Sequence, residues 1–212
     1  SGFVYLFLLI LISNLFDKFN INLLTKLFRS FLPFIVLLVS SYSLNFHYDS
    51  GLYHLNNQLW LRESNLLIGF SNIYGPFGVS SIFEYISSFL WVDKSFVLLH
   101  FLNLLFIGLF YQLIVVFIFY SENIFLKNSG FLLLAFSILD NFGFAGGRNG
   151  FLYIQNVGKQ DTSLAILFLF TSLFILNLIM KKNYEIPNFI ITSFLAFFIL
   201  QIKVSGFPIL FI

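Results

Sequence analysis

Asp49 stands between two histidines in "HYDSGLYH", residues 47–54. Such a string can hold a metal, bind a sugar or move a proton. The chain has only three histidines and nine acidic residues, so their grouping marks this place. Three readings fit the residue types. Asp49 or Ser50 can cap the start of a helix, satisfying free N–H groups. His47, Asp49 and His54 can be written as a metal-ligand set, but the i, i+4 His pair and adjacent Glu of the zinc-protease helix are missing. Asp49 can also accept a proton as a general base. The sequence contains no cysteine, which excludes disulfides, thiol catalysis and cysteine-ligated metals.

A second group of polar residues lies in "FAGGRNGFLYIQNVGKQD", residues 144–161. Its glycines match neither the dinucleotide nor the P-loop spacing. Asp161 can cap the apolar helix that follows. Arg148 and Lys159 can instead supply charge for a phosphate, assisted by backbone N–H groups at that helix start. Asp161 would compete for those N–H groups, so it suits a sugar or metal contact better than a phosphate contact. Lys203, near the end of a later apolar run, can reach an interfacial phosphate or snorkel to headgroups. Asp140 interrupts another apolar run and, with Asn103, is a functional candidate inside the hydrophobic segments.

The elements that must position these groups are apolar. The chain of 212 residues is 59% hydrophobic and 9% charged, against roughly a quarter charged in soluble domains. Hydrophobic runs cover 2–16, 31–46, 95–120, 129–145, 162–180 and 187–201, and another begins at 204. They predict an all-α polytopic transmembrane helix bundle with about six spans and the start of a seventh. The 33 Phe residues suit lipid-facing bulk. A net charge of +2 without a basic cluster offers nothing to nucleic acid, so the expected partner is the lipid bilayer. The chain opens without Met, lacks the charged start of a signal peptide and stops inside an apolar run. It is expected to be the N-terminal part of a single, longer transmembrane domain.

Lys18, Lys26 and Arg29 cluster in the first connection, Lys127 lies in the third, and Lys181 and Lys182 in the fifth. By the positive-inside rule these connections face the cytoplasm. The connections at about 47–94 and 146–161 then face outside. Within the former, residues 49–64 predict an amphipathic helix lying along the membrane surface. Leu52, Leu55 and Leu59 form its apolar stripe, with Asp49, Tyr53, Asn56 and Trp60 on another face. Asp49 and Asp161 therefore fall on the same outer side.

"YDSGLYHLNNQLWLRESNLLIGFSNIYGPFG" resembles the first outer loop of a group of bacterial polytopic membrane proteins. "IQNVGKQDTSLAILF" resembles their later G-K-x-D-x-x-L-A motif, and "IKVSGFP" their I-K-x-S-x-x-P motif. Together these motifs span most of residues 42–208. The group is similar to the GT-C superfamily of membrane glycosyltransferases. The resemblance implies sugar transfer from a polyprenyl-phosphate-linked donor to a saccharide or lipid acceptor, in the cell envelope. It implies Asp49 as the catalytic acidic residue of the first outer loop, and Lys159 or Lys203 as the basic residue near the lipid phosphate. No second acid adjoins position 49, so the resemblance carries over no metal requirement; a divalent ion stays open as a cofactor.

The mechanism expected on that footing is inverting transfer. Asp49 accepts the acceptor's proton while Arg148, Lys159 or Lys203 stabilises charge on the leaving phosphate. Tyr53, His54, Asn56 and Trp60 orient sugars by hydrogen bonding and stacking, with Asp161 beside them. Two rivals predict different arrangements. A flippase for lipid-linked saccharides predicts polar groups near mid-membrane. A non-catalytic scaffold predicts Asp49 and Asp161 far apart.

Overall fold

The computed structural model describes residues 31–64, 69–78, 81–93, 95–141, 147, 150–157, 160–182 and 184–211. The run at 2–16, the cations Lys18, Lys26 and Arg29, and the site candidates Arg148 and Lys159 lie outside these residues.

The described chain is almost wholly helical. Helix α1 covers Phe31–Tyr42 and ends in a 3-10 stretch, Leu38–Tyr42. Helix α2 is a π-helical turn, Ser50–His54, running directly into an α-helix, Leu55–Glu63. Helix α3 is Ile82–Phe89. Helix α4 is Val97–Val115, prolonged by a π-helical turn to Tyr120. Helices α5, α6 and α7 are Ile124–Asn141, Gln160–Lys181 and Ile186–Ile202. Two short strands, β1 at Asn45–Phe46 and β2 at Asn156–Val157, pair in parallel.

Among the described residues three helices are long and apolar enough to cross a membrane: Val97–Tyr120, Ile124–Asn141 and Gln160–Lys181. At about 1.5 Å per residue, the shortest reaches roughly 27 Å against a hydrocarbon core of about 30 Å. Helices α1 and α7 are apolar but shorter. Their bounds follow from local chemistry. Asn123 caps α5, its Oδ1 accepting the N–H of Phe125 at 2.9 Å. Lys182, at φ 53°, closes α6 in the left-handed conformation common after helix ends. Pro187 stands in the first turn of α7, where its missing N–H costs nothing.

Helix α4 is the centre of the packing. Leu102, Leu104, Phe106, Ile107, Phe110 and Ile114 are buried in one core that also takes in Ile166 and Leu167 of α6 and Ala196, Ile199 and Ile202 of α7. Gly108 lets α1 approach closely, since a Cβ there would sit 2.3 Å from the Phe34 ring. The outer helices keep large side chains exposed: Phe131, Leu132 and Phe136 on α5, and Phe189, Phe194 and Phe197 on α7. An apolar surface that continuous suits a hydrocarbon surrounding far better than water.

The run from residue 204, expected to start a further span, is described only as far as residue 211. Val204–Phe211 is a 3-10 helix. Lys203 is extended, at φ −160° and ψ 138°, and ends α7. Gly206 then presses against Ile199 and Leu164, leaving no room for a Cβ. The segment packs back on α6 and α7 because that contact buries Ile209.

Candidate functional site

The chemistry collects at one end of the bundle. That end holds the last turns of α5 and α7, the first turns of α4 and α6, and the whole of α2 and α3. The β1–β2 pair ties the segment before Asp49 to the segment before Asp161, with Asn45 opposite Asn156 and Phe46 opposite Val157. Ser50 adds a second tie, its Oγ donating to the Val157 carbonyl at 2.6 Å. The two polar stretches, more than a hundred residues apart in sequence, are thus one structural unit.

Helix α2 buries a polar stripe, not the leucine stripe its sequence suggested. Ser50, His54 and Gln58, spaced four apart, are 0%, 6% and 0% exposed, whereas Leu52 is 41% exposed. The reason lies on α3, whose Glu84 is 2% exposed. The Nδ1 of His54 makes a very short contact with Glu84 Oε1. Gln58 Nε2 donates to Oε2 at 2.7 Å, and Trp91 Nε1 donates to Gln58 Oε1 at 2.9 Å. A buried carboxylate must be paired and hydrogen-bonded, and that demand overrides the apolar preference of Leu52. Arg62 clamps the far side of Trp91, donating to its carbonyl at 2.7 Å with its guanidinium 5.7 Å from the ring centroid. On α3, Ser81 caps the helix by accepting the Phe83 N–H, and its hydroxyl donates to the Ile202 carbonyl at 2.6 Å. This places α3 beside the end of α7.

Asp49 occupies the cap position of α2, but its side chain makes no capping hydrogen bond. Its carboxylate is 40% exposed and lies 3.5 Å from His47 Nδ1. That nitrogen accepts the Asp49 backbone N–H at 3.3 Å, so its lone pair is already engaged. Asp49 therefore presents a nearly bare carboxylate at the surface. One turn on, Tyr53 packs against the His54 ring with centroids 4.2 Å apart. Burial pushes the Tyr53 phenol above its ordinary value, and the nearby charges of Asp49, Asp161 and Glu84 push it further. The three acids come from three separate parts of the chain and act on the phenol in the same direction.

Asp161 does not cap α6, because the helix begins one residue earlier at Gln160. It pairs with Lys203, whose Nζ donates to Oδ1 at 2.6 Å. Both side chains keep more than a third of their surface, so the pair is open to a ligand. Asp140, expected as a functional group inside a span, instead holds the second loop. Its Oδ1 accepts from the Phe151 N–H at 3.2 Å and its Oδ2 from the Leu152 N–H at 2.7 Å. Asn141 Oδ1 takes the Ile154 N–H at 3.0 Å. Gly150 permits this approach, as a Cβ there would lie 2.7 Å from both the carbonyl and Oδ2 of Asp140.

Of the residues singled out in the sequence, Asp49, Tyr53, Asp161 and Lys203 share this end of the bundle. His54 does too, though buried against Glu84. Asn56 faces away, its Nδ2 bonded to the Leu52 carbonyl at 3.1 Å. Trp60 packs edge-on against Phe77 at 4.5 Å, which occupies one of its contacts. Sequence reasoning passed over Glu84 and Gln58, and offered Ser50 only as a helix cap. A signal existed for Glu84: it is the sole acid within the otherwise apolar start "IFEYI" of α3, and such an acid needs a partner. Among the described residues no group of three or more His, Asp or Glu is placed to hold a metal ion. No family model, curated protein or solved structure matches this chain.

Proposed function

We propose that this chain is the N-terminal part of a bacterial integral membrane glycosyltransferase of the GT-C kind. It spans the inner (plasma) membrane as a polytopic bundle and moves a sugar from a polyprenyl-phosphate donor to a saccharide or lipid acceptor at the periplasmic or outer face. The observation that carries the proposal is the union of the two loops. Asp49 and Tyr53 on one loop lie at the same end of an apolar bundle as the Asp161–Lys203 pair, the two loops being tied by β1–β2 and by the Ser50–Val157 bond. A scaffold gains nothing from that convergence, and a flippase needs its polar groups nearer mid-membrane.

In this reading the donor's isoprenoid tail lies along the exposed phenylalanines of the bundle. Its phosphate draws Lys203 from Asp161; Arg148 and Lys159, outside the described residues, are the further cations that the sequence offers. Asp49 accepts the proton of the acceptor hydroxyl. That hydroxyl attacks the anomeric carbon and inverts it. The test is Asp49→Asn in the full-length protein, assayed in membranes with a panel of polyprenyl-phosphate sugars. Transfer falls by at least about a hundredfold, the usual weight of general-base catalysis, while membrane levels stay unchanged. Undiminished transfer removes Asp49 from catalysis.

A further inference from the structure

Glu84 is held almost completely out of water, and its charge needs a counterpart. Among the described residues, the one basic group paired with it is His54. With one proton held between Glu84 and Nδ1, the pair is neutral overall. That state leaves the other ring hydrogen on Nε2. Nδ1–H is taken by Glu84. Nε2–H has no partner among the described residues, on a side chain that keeps 8% of its surface. Gln58 and Trp91 lock the carboxylate from behind, and Tyr53 packs on the ring. The result is an immobilised, charge-balanced N–H donor without a partner among the described residues, which suits an anionic oxygen.

We propose that His54, positioned by Glu84, donates a proton to the leaving phosphate oxygen; this rests on the transfer reaction proposed above. Asp49 takes the acceptor's proton, and the acceptor oxygen bonds to the anomeric carbon. The bond from that carbon to the phosphate oxygen breaks, its electron pair going to the oxygen. His54 Nε2 passes its proton to that oxygen. The products are the glycosylated acceptor and a protonated polyprenyl monophosphate. His54 is left neutral, still bonded through Nδ1–H to Glu84, and recovers a proton from Asp49 through water. His54 is then a catalytic residue and Glu84 a positioning residue.

The test uses the full chain in nanodiscs of zwitterionic lipid, labelled with ¹⁵N-histidine, with His54→Gln assigning the resonances. A short-chain isoprenyl monophosphate is titrated in, and inorganic phosphate in a parallel arm. The expected result is a shift of the His54 Nε2 resonance by the isoprenyl phosphate at concentrations well below those inorganic phosphate needs. Glu84→Gln weakens that response by roughly tenfold or more, the factor one charge-assisted hydrogen bond carries, with the His47 and His100 signals unmoved. Equal potency of the two phosphates supports the His54 contact and counts against the lipid-linked donor. No shift with either phosphate overturns the role of His54, even if Asp49→Asn still abolishes transfer.

Discussion

Asp140→Asn separates a structural acid from a proton carrier. The carboxylate, 8% exposed, accepts two backbone N–H bonds, from Leu152 at 2.7 Å and from Phe151 at 3.2 Å. Asparagine has nearly the same shape but only one acceptor oxygen. If that oxygen keeps Leu152, the amide hydrogens of the new side chain face the Phe151 N–H. One charge-assisted bond is lost and the other becomes a neutral one, a cost of about 2–4 kcal/mol on typical values. The cost falls on the loop, because the acid sits at the end of α5 and all its hydrogen bonds go forward to residues 151 and 152. Hydrogen exchange read by mass spectrometry checks this. Peptides covering 150–157 lose protection by at least roughly tenfold, since each 1.4 kcal/mol of local opening is a factor of ten, while the interior of α5 keeps its own. The transfer activity proposed above is also expected to fall, because β2 carries one side of the candidate site. Unchanged protection in 150–157, together with lost activity, refutes the anchoring argument and returns Asp140 to a chemical role.

Two further outcomes follow from the same end of the bundle. Tyr53 titrates above an ordinary phenol, so its contribution to stability is present below about pH 10 and is lost as pH rises through the elevated value. Asp49→Asn removes one of the charges responsible and lowers that titration, read as phenolate absorbance against a Tyr53→Phe control; an unmoved titration contradicts the proximity of the two groups. Lys203→Met changes thermal stability little, since its exposed pair with Asp161 is worth about 1 kcal/mol or less, yet it raises the donor KM several-fold. A large fall in melting temperature with unchanged KM makes the pair structural.

How much of this was legible in the sequence differs from element to element. The apolar runs at 95–120 and 162–180 announced α4 and α6 almost to the residue, because unbroken hydrophobicity of that length has few other uses. The helix after Asp49 was also legible, but not the face it buries. Its leucines pointed to one stripe, and Glu84, twenty-one residues beyond the helix's end at Glu63, selected another. Asp140 showed a similar shift: an acid within an apolar run looked functional until its two backbone partners, on a loop more than ten residues away, accounted for it. Each revision came from a partner distant in sequence.

By itself, then, the sequence determined the helical, membrane-compatible character of the chain, since that depends on composition and run length alone. It also marked Asp49, Asp161 and Lys203 as unusual, since charge is scarce here. Tertiary structure decided which of these groups meet. The parallel pair β1–β2, the Ser50–Val157 bond and the Asp161–Lys203 contact join residues 42 to 111 positions apart, and no local periodicity encodes such pairings. The His54–Glu84 pair belongs to the same class: desolvation forces a buried acid to find a counter-charge, but only the packing of α2 on α3 determines which one it finds.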